Sequence, residues 1–352
     1  MFEAFYLNKA PYDLKVFIKL IVATAIAGLL LLIWQGISFY RYAHRPAGGG
    51  TEEIVTVTRG EKFTALAARL ERSGIIAHAS KFKLLAELRG VDKKLKAGEY
   101  PLAAEMTPTE VLDVLVSGKS RLYRLTIPEG FTLRQVAEEV AAKGLGQADK
   151  FIALATSPDY VATLHIEAET LEGYLFPDTY YFARSASEDT IIRTMVARFN
   201  EQFPAEWRRR AKELHRSIHE IVTLASIIEK ETGVPSERPI IASVFDNRLH
   251  KGMRLESDPT VIYGIPDFDG NIKRSDLATP TPYNTYKIRG LPPGPIANPG
   301  REAIKAALYP AKTDYLFFVS KKNNTHHFST NIREHQNAVR KYQLRHRKRR
   351  NP

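Results

Sequence analysis

From Leu20 to Tyr40 the chain runs through 21 residues without a formal charge, "LIVATAIAGLLLLIWQGISFY". As a helix this run would span roughly 31 Å, enough to cross a hydrocarbon core of about 30 Å. Trp34, Phe39 and Tyr40 gather towards one end, as interfacial aromatics do. Lys9, Lys15 and Lys19 precede the run, while Arg41 and Arg45 follow it. That small asymmetry leans towards an N-terminus inside and a body outside. The expected layout is a cytoplasmic segment 1–19, a membrane helix 20–40 and a flexible linker 41–52 that contains "RPAGGG". A cleaved signal peptide is the alternative, but the run is long and lacks a small-x-small exit. A single-pass protein of the cytoplasmic (inner) membrane, with its body on the extracytoplasmic side, is therefore expected.

The 352 residues include no cysteine, so disulfides, thiolate catalysis and cysteine-based zinc sites are excluded. The net charge is +12. Seven Lys/Arg and no acid lie from Arg340 onward, and the segment up to Arg45 carries +3, which leaves +2 for the body. Nucleic-acid binding would place a basic stripe on the folded part, so no nucleic-acid partner is expected. A solvated tail at 343–352 is the simplest account of the C-terminal charge, with anionic lipid or an acidic wall polymer as the other candidate contact.

After the linker the sequence repeats itself. With Gly60 set over Gly130, Leu66 meets Val136, Ala67 meets Ala137, Leu70 meets Val140 and Gly74 meets Gly144 without a gap. A strand pattern precedes each first glycine, and an amphipathic helix follows and ends at the second glycine. A second helix, a Gly-Tyr signal and a further helix start complete both copies. A β-α-α-β-α unit is thus expected at 53–119 and again at 122–200. The first copy resembles a LysM-like βααβ module, a fold that grips amino-sugar polymers. The expected class is α+β: one membrane helix, that module, then a mixed α/β catalytic domain over 120–342.

Beyond the repeats, "LASIIEKETG" at Leu224–Gly233 places Glu229 and Glu231 in the last turn of a helix expected from Ile218. At 100° per residue, Ile218, Ile221, Val222, Leu224, Ala225, Ile227 and Ile228 form a broad apolar face; His219, Thr223, Ser226 and Lys230 form the polar one. Glu229 sits at one seam and Glu231 at the other, so periodicity does not choose between them. Either carboxylate could be half-buried, which raises its pKa and suits it to general-acid work. A seam glutamate that merely reaches water is the plainer reading. Further on, "TPYNTYKIRGLPPGPIANPG" at Thr281–Gly300 holds five prolines, two tyrosines and two asparagines. It reads as a long ordered loop of the sort that builds carbohydrate subsites, or as a cover for the core.

Together "LEGYLFPDTY", "LASIIEKET", "SVFDNRL", "LESDPTVIYG", "TPYNTY" and "GLPPGPIANPG" resemble the YceG-like endolytic murein transglycosylases, from about Glu52 to about Tyr342. The resemblance implies a membrane-anchored lyase that cuts the MurNAc–GlcNAc bond inside nascent glycan strands. It leaves 1,6-anhydro-MurNAc ends and terminates strand elongation. It implies Glu229 as the catalytic acid and, with the residues themselves, suggests Glu172, Tyr174, Arg248, Asp258, Tyr263, Asn284 and Tyr286 as substrate contacts. Whether Glu231 or Asp258 assists Glu229 stays open. The implied partners are glycan strands, the membrane through one helix, and peptidoglycan synthases. No cofactor is called for. His326 and His327 invite a metal reading, but neighbours on a strand face opposite ways. Two rivals remain: a two-carboxylate hydrolase with Asp258 as partner, and a non-catalytic wall-binding scaffold.

Overall fold

The uncharged run lies in the longest helix, α1 (Leu14–Ala43). Its stretch Val16–Ala43 has a mean hydropathy of 2.7 and is long and apolar enough to cross a membrane. Leu29, Leu30, Leu31 and Leu32 all project outward, as a lipid-facing helix requires. The computed structural model describes residues 14–266 and 268–344. The expected cytoplasmic segment up to Asp13 and the basic tail from Arg345 lie outside the described residues. The chain divides between Arg121 and Leu122 into two compact units.

In the first unit α1 is followed by β1 (Glu53–Val57), α2 (Phe63–Arg72), α3 (Ala79–Leu88), β2 (Gly98–Leu102) and α4 (Pro108–Ser117). β1 and β2 pair antiparallel, with Val55 opposite Tyr100. Strand alternation sends Val55, Val57, Tyr100 and Leu102 inward onto Leu66, Leu70, Phe82 and Leu112. The buried Tyr100 keeps its hydroxyl satisfied on the Lys96 carbonyl at 2.8 Å. The expected linker is less free than its glycines suggest. α1 continues three residues past Tyr40, and Tyr42 and Ala43 are buried in this unit's core. The Tyr42 hydroxyl donates to the His78 carbonyl, the Thr109 hydroxyl to the Ala43 carbonyl, and Gly48 N–H to the Ala104 carbonyl. An apolar final turn finds a core within reach, and burial outweighs linker entropy.

The second unit begins with the same element order: β3 (Tyr123–Thr126), α5 (Leu133–Ala142), α6 (Ala148–Ala155), a short extra α7 (Pro158–Thr163), β4 (Thr179–Phe182) and α8 (Glu188–Gln202). β3 and β4 are again antiparallel. Gly60 and Gly130 adopt φ of 81° and 77°, and Gly74 and Gly144 adopt 75° and 65°. The glycines aligned by sequence thus share the left-handed backbone that favours glycine.

The remainder comprises α9 (Ala205–Glu213), α10 (Ile218–Glu231), α11 (Arg238–His250), α12 (Asp258–Tyr263), α13 (Arg274–Ala278), α14 (Arg301–Leu308), β5 (Phe317–Ser320), β6 (His326–Ser329) and α15 (Ile332–Val339). β5 and β6 pair antiparallel, and each sheet among the described residues has two strands. The architecture is mixed α/β but mainly helical. α10 runs through its centre, opened by a capping box in which Ser217 and Glu220 satisfy each other's backbone N–H groups, worth about 1 kcal/mol. The alanines of α14 let it pack closely on α10, and α11 packs beside both. The polar side of α10 is covered too. Thr223 and Ser226 are buried, and Ser226 Oγ accepts Ile296 N–H from the proline-rich loop at 3.0 Å.

Candidate active site

The last turn of α10 delivers its two glutamates to different surroundings. Glu229 Oε1 pairs with Arg238 Nη2 at 2.9 Å, and its Oε2 accepts the Gly300 N–H at 3.0 Å. Gly300 is the N-cap of α14 and Arg238 the first residue of α11, so this carboxylate ties three helices together. Its side chain is 6% exposed. Burial raises its pKa, while the Gly300 N–H and Arg238 oppose that rise and Glu129 adds to it. The setting differs from the half-buried hydrocarbon seam expected from periodicity: it is polar, charged and almost wholly buried.

Glu231 opens onto space. It lines a cavity of about 370 Å³ together with Arg248, Leu255, Asp258, Tyr286 and Phe317. It also lines a second cavity of about 440 Å³ with Thr232, Gly233, Ser320, Asn324 and His326. Glu229 is not among the residues lining either one. Burial pushes the Glu231 carboxyl up to about 7; the Ser257 hydroxyl draws it down, Asp258 pushes it further up, and Arg248 draws it down. Ser257 Oγ donates to Glu231 Oε1 at 2.5 Å. Ser257 is itself fixed, since its N–H donates to Thr285 Oγ1 at 3.0 Å and Thr285 shares a 2.8 Å hydrogen bond with Thr260. All three residues are buried. The residue before Ser257, Glu256, has φ of 52°, a left-handed backbone that costs a non-glycine residue of the order of 1 kcal/mol.

The other expected contacts separate into two groups. Arg248, Asp258 and Tyr286 join Glu231 around the first cavity. Tyr286 donates its hydroxyl to Asp258 Oδ1 at 2.7 Å. Arg248 is largely occupied by the carbonyls of Leu316, Arg254 and Leu255 and by Glu256. Glu172, Tyr174, Tyr263 and Asn284 line neither cavity. Glu172 is buried and accepts Leu133 N–H at the start of α5 and the Tyr263 hydroxyl at 3.1 Å. Burial lifts it to about 7, against those hydrogen bonds. The Tyr174 hydroxyl meets His219 Nδ1 at 3.0 Å in the core. The Asn284 amide donates to three carbonyls, those of Asp276, Leu277 and Thr279. All four have hydrogen-bond partners within the protein, as buried polar groups require: backbone groups for Glu172 and Asn284, side chains for Tyr174 and Tyr263.

Several residues of the cleft carried no clear signal in the sequence. Ser257 stands at the N-cap position of α12, but its hydroxyl bonds Glu231 and makes no cap hydrogen bond. His326 drew notice for metal, yet its Nδ1 lies 2.7 Å from Glu237 Oε2. His327 on the other strand face packs near Tyr342. His335 lines the first cavity, and burial lowers its pKa.

The profile of the YceG-like family matches residues 55–341. The chain belongs to that family. It is 34% identical to the endolytic murein transglycosylase of Bacillus subtilis over 82% of this chain and 84% of that one. It is 30% identical to the endolytic murein transglycosylase of Streptococcus pneumoniae D39 over 91% of this chain, which spans 66% of that longer relative. A crystal structure of a YceG-like protein from Listeria monocytogenes matches with 34% identity and a TM-score of 0.57, covering 82% of this chain and 99% of that one. Within this YceG-like chain, the cleft at the end of α10 joins an acid of raised pKa to aromatic and polar walls.

Proposed function

We propose that this YceG-like chain is a peptidoglycan lytic transglycosylase that cuts within glycan strands, with Glu231 as its proton-transfer group. The observation that carries this reading is that Glu231 lines both cavities with its carboxyl raised to about 7. Glu229, the residue the family resemblance implied, is read as a strut on the strength of its pairing with Arg238 and Gly300. Near neutrality a large share of Glu231 is protonated. It donates that proton to the glycosidic oxygen as the bond to the anomeric carbon breaks. The C6 hydroxyl of the muramoyl ring then attacks the same carbon and returns its proton to the Glu231 carboxylate. No water is consumed, and a 1,6-anhydro end results. One acid therefore suffices where a hydrolase needs two. General acid–base help of this sort supplies about 10²–10⁴ in rate.

Tyr286, Phe317 and Phe318 on one side offer faces for sugar rings, and Thr232, Ser320 and Asn324 on the other offer hydrogen bonds. A strand lying across both cavities would present an internal bond to Glu231. The first unit is read as a LysM-like wall-binding module, supported by its antiparallel βααβ order. α1 is read as an uncleaved anchor that places the body outside the cytoplasmic membrane. Burial of Tyr42 and Ala43 in the adjoining core supports retention of the helix. Peptidoglycan synthases are the partners such an activity calls for, with termination of growing strands as the outcome.

Mass spectrometry of fragments released from uncrosslinked glycan tests the reaction. Products one water lighter than hydrolysed fragments are expected, and Glu231→Gln should release them about 10²–10⁴ times more slowly. Asp258 beside the same cavity gives the two-carboxylate hydrolase its one support, and reducing-end products would establish it. Undiminished release by Glu231→Gln would remove the assignment of the acid.

A further inference from the structure

The second cavity contains a pair that the reaction above does not use. Glu237 ends a short 3-10 turn that leads into α11, and His326 opens β6. Glu237 Oε1 accepts the His326 backbone N–H at 2.8 Å, and Oε2 meets His326 Nδ1 at 2.7 Å. The two side chains are 11% and 13% exposed. The edge of Phe318 packs against the imidazole, with ring centroids 5.4 Å apart. The ring is thus held on one nitrogen and clamped by a neighbour. A carboxylate opposite Nδ1 fixes the proton there in the neutral imidazole and leaves the lone pair on Nε2. Among the described residues nothing bonds to Nε2, and His326 lines the cavity that Glu231 also lines. A core histidine would have both nitrogens satisfied; this one is oriented with one nitrogen spare.

We infer that His326, oriented by Glu237, is a substrate-recognition residue whose Nε2 accepts a hydrogen bond from a hydroxyl of the glycan ring seated beside Glu231. This rests on the transglycosylase reading of the cleft. Asn324 and Ser320 line the same cavity and extend the polar wall. His326 takes no part in proton transfer in this scheme: it selects and seats the sugar, and Glu237 is a positioning residue that acts through it.

The test uses the full chain in detergent with the Glu231→Gln substitution, so that uncrosslinked murein glycan strands bind without being cut. Into that background go His326→Gln, which retains an acceptor, and His326→Leu, which does not. Both keep the backbone N–H bond to Glu237 and lose the imidazole one, and matched thermal midpoints separate recognition from a purely structural role. The expected result is binding about tenfold weaker for the Leu variant than for the Gln variant, the size of one hydrogen bond, with similar thermal midpoints. Equal binding by the two folded variants would overturn the inference. A structure of the Glu231→Gln chain with a bound strand needs no change at His326. There Nε2 should lie within about 3.2 Å of a sugar oxygen, and a seated ring that leaves it without one would also overturn the inference. Failure of the parent reading is visible separately, as undiminished strand cutting by Glu231→Gln before any binding is measured.

Discussion

Glu229 and Glu231 stand two residues apart in one helical turn, yet each is governed by a different neighbourhood. Glu229 meets a guanidinium and the N–H at the head of a helix, so its closest neighbours favour the charged form and its oxygens are committed. Glu231 meets a hydroxyl, a nearby aspartate and open space. Burial acts on both. What differs is what stands opposite: fixed protein charge in one case, a vacancy large enough for a sugar in the other. The proposed chemistry calls for the second setting, because both Glu229 oxygens are already engaged by Arg238 and the Gly300 N–H.

The substitutions that probe this contrast run from severe to slight. Glu231→Gln should cut glycan release by about 10²–10⁴ while the thermal midpoint holds, measured by muropeptide mass spectrometry and calorimetry. Glu229→Gln should do the reverse. Among the described residues Arg238 would keep Glu129, 3.4 Å away, as its one acidic partner, and loss of one partner of a buried pair costs about 3 kcal/mol. The folded fraction should retain near-normal turnover. A dead but stable Glu229→Gln would break the contrast and return the acid to that position.

The finer tests are pH profiles. Glu231 must be protonated to act first, so kcat/KM should fall as pH rises through about 7. Ser257 donates to the carboxylate and so favours its charged form. Ser257→Ala should therefore move that basic limb to higher pH, and Ser257→Thr should restore it. Asp258 has the opposite sign and a smaller influence. Asp258→Asn should move the limb slightly to lower pH, if the Tyr286 contact survives. A limb that ignores both changes would detach the titration from Glu231.

Much of the scaffold could be read from residue order. The apolar period of Ile218–Ile228 gives α10, and the glycine alignment gives two copies of one element order with matching left-handed turns. These are local properties, set by side chains a few residues apart. The choice between the glutamates is not local. Their partners Arg238, Gly300 and Ser257 lie 9, 71 and 26 residues away in sequence, and helical period assigns both to equivalent seams. The same reason accounts for Asn284 and Glu172. Amides and acids in a proline-rich stretch look like sugar ligands in a string of letters, while the carbonyl and N–H partners these two find come from the fold. His326 was visible as an unusual residue, but the carboxylate that holds its ring, Glu237, stands 89 positions earlier.

The final turn of α1 carries a practical lesson. Because Tyr42 and Ala43 fill part of the first unit's core, scissors applied after Arg45 would take a plug from that core along with the grease. Apolar surface on α3 and α4, against which α1 packs, would lose cover, and the shortened chain would tend to clump. A cut just ahead of Phe39 spares the plug, and should yield the better-behaved soluble protein.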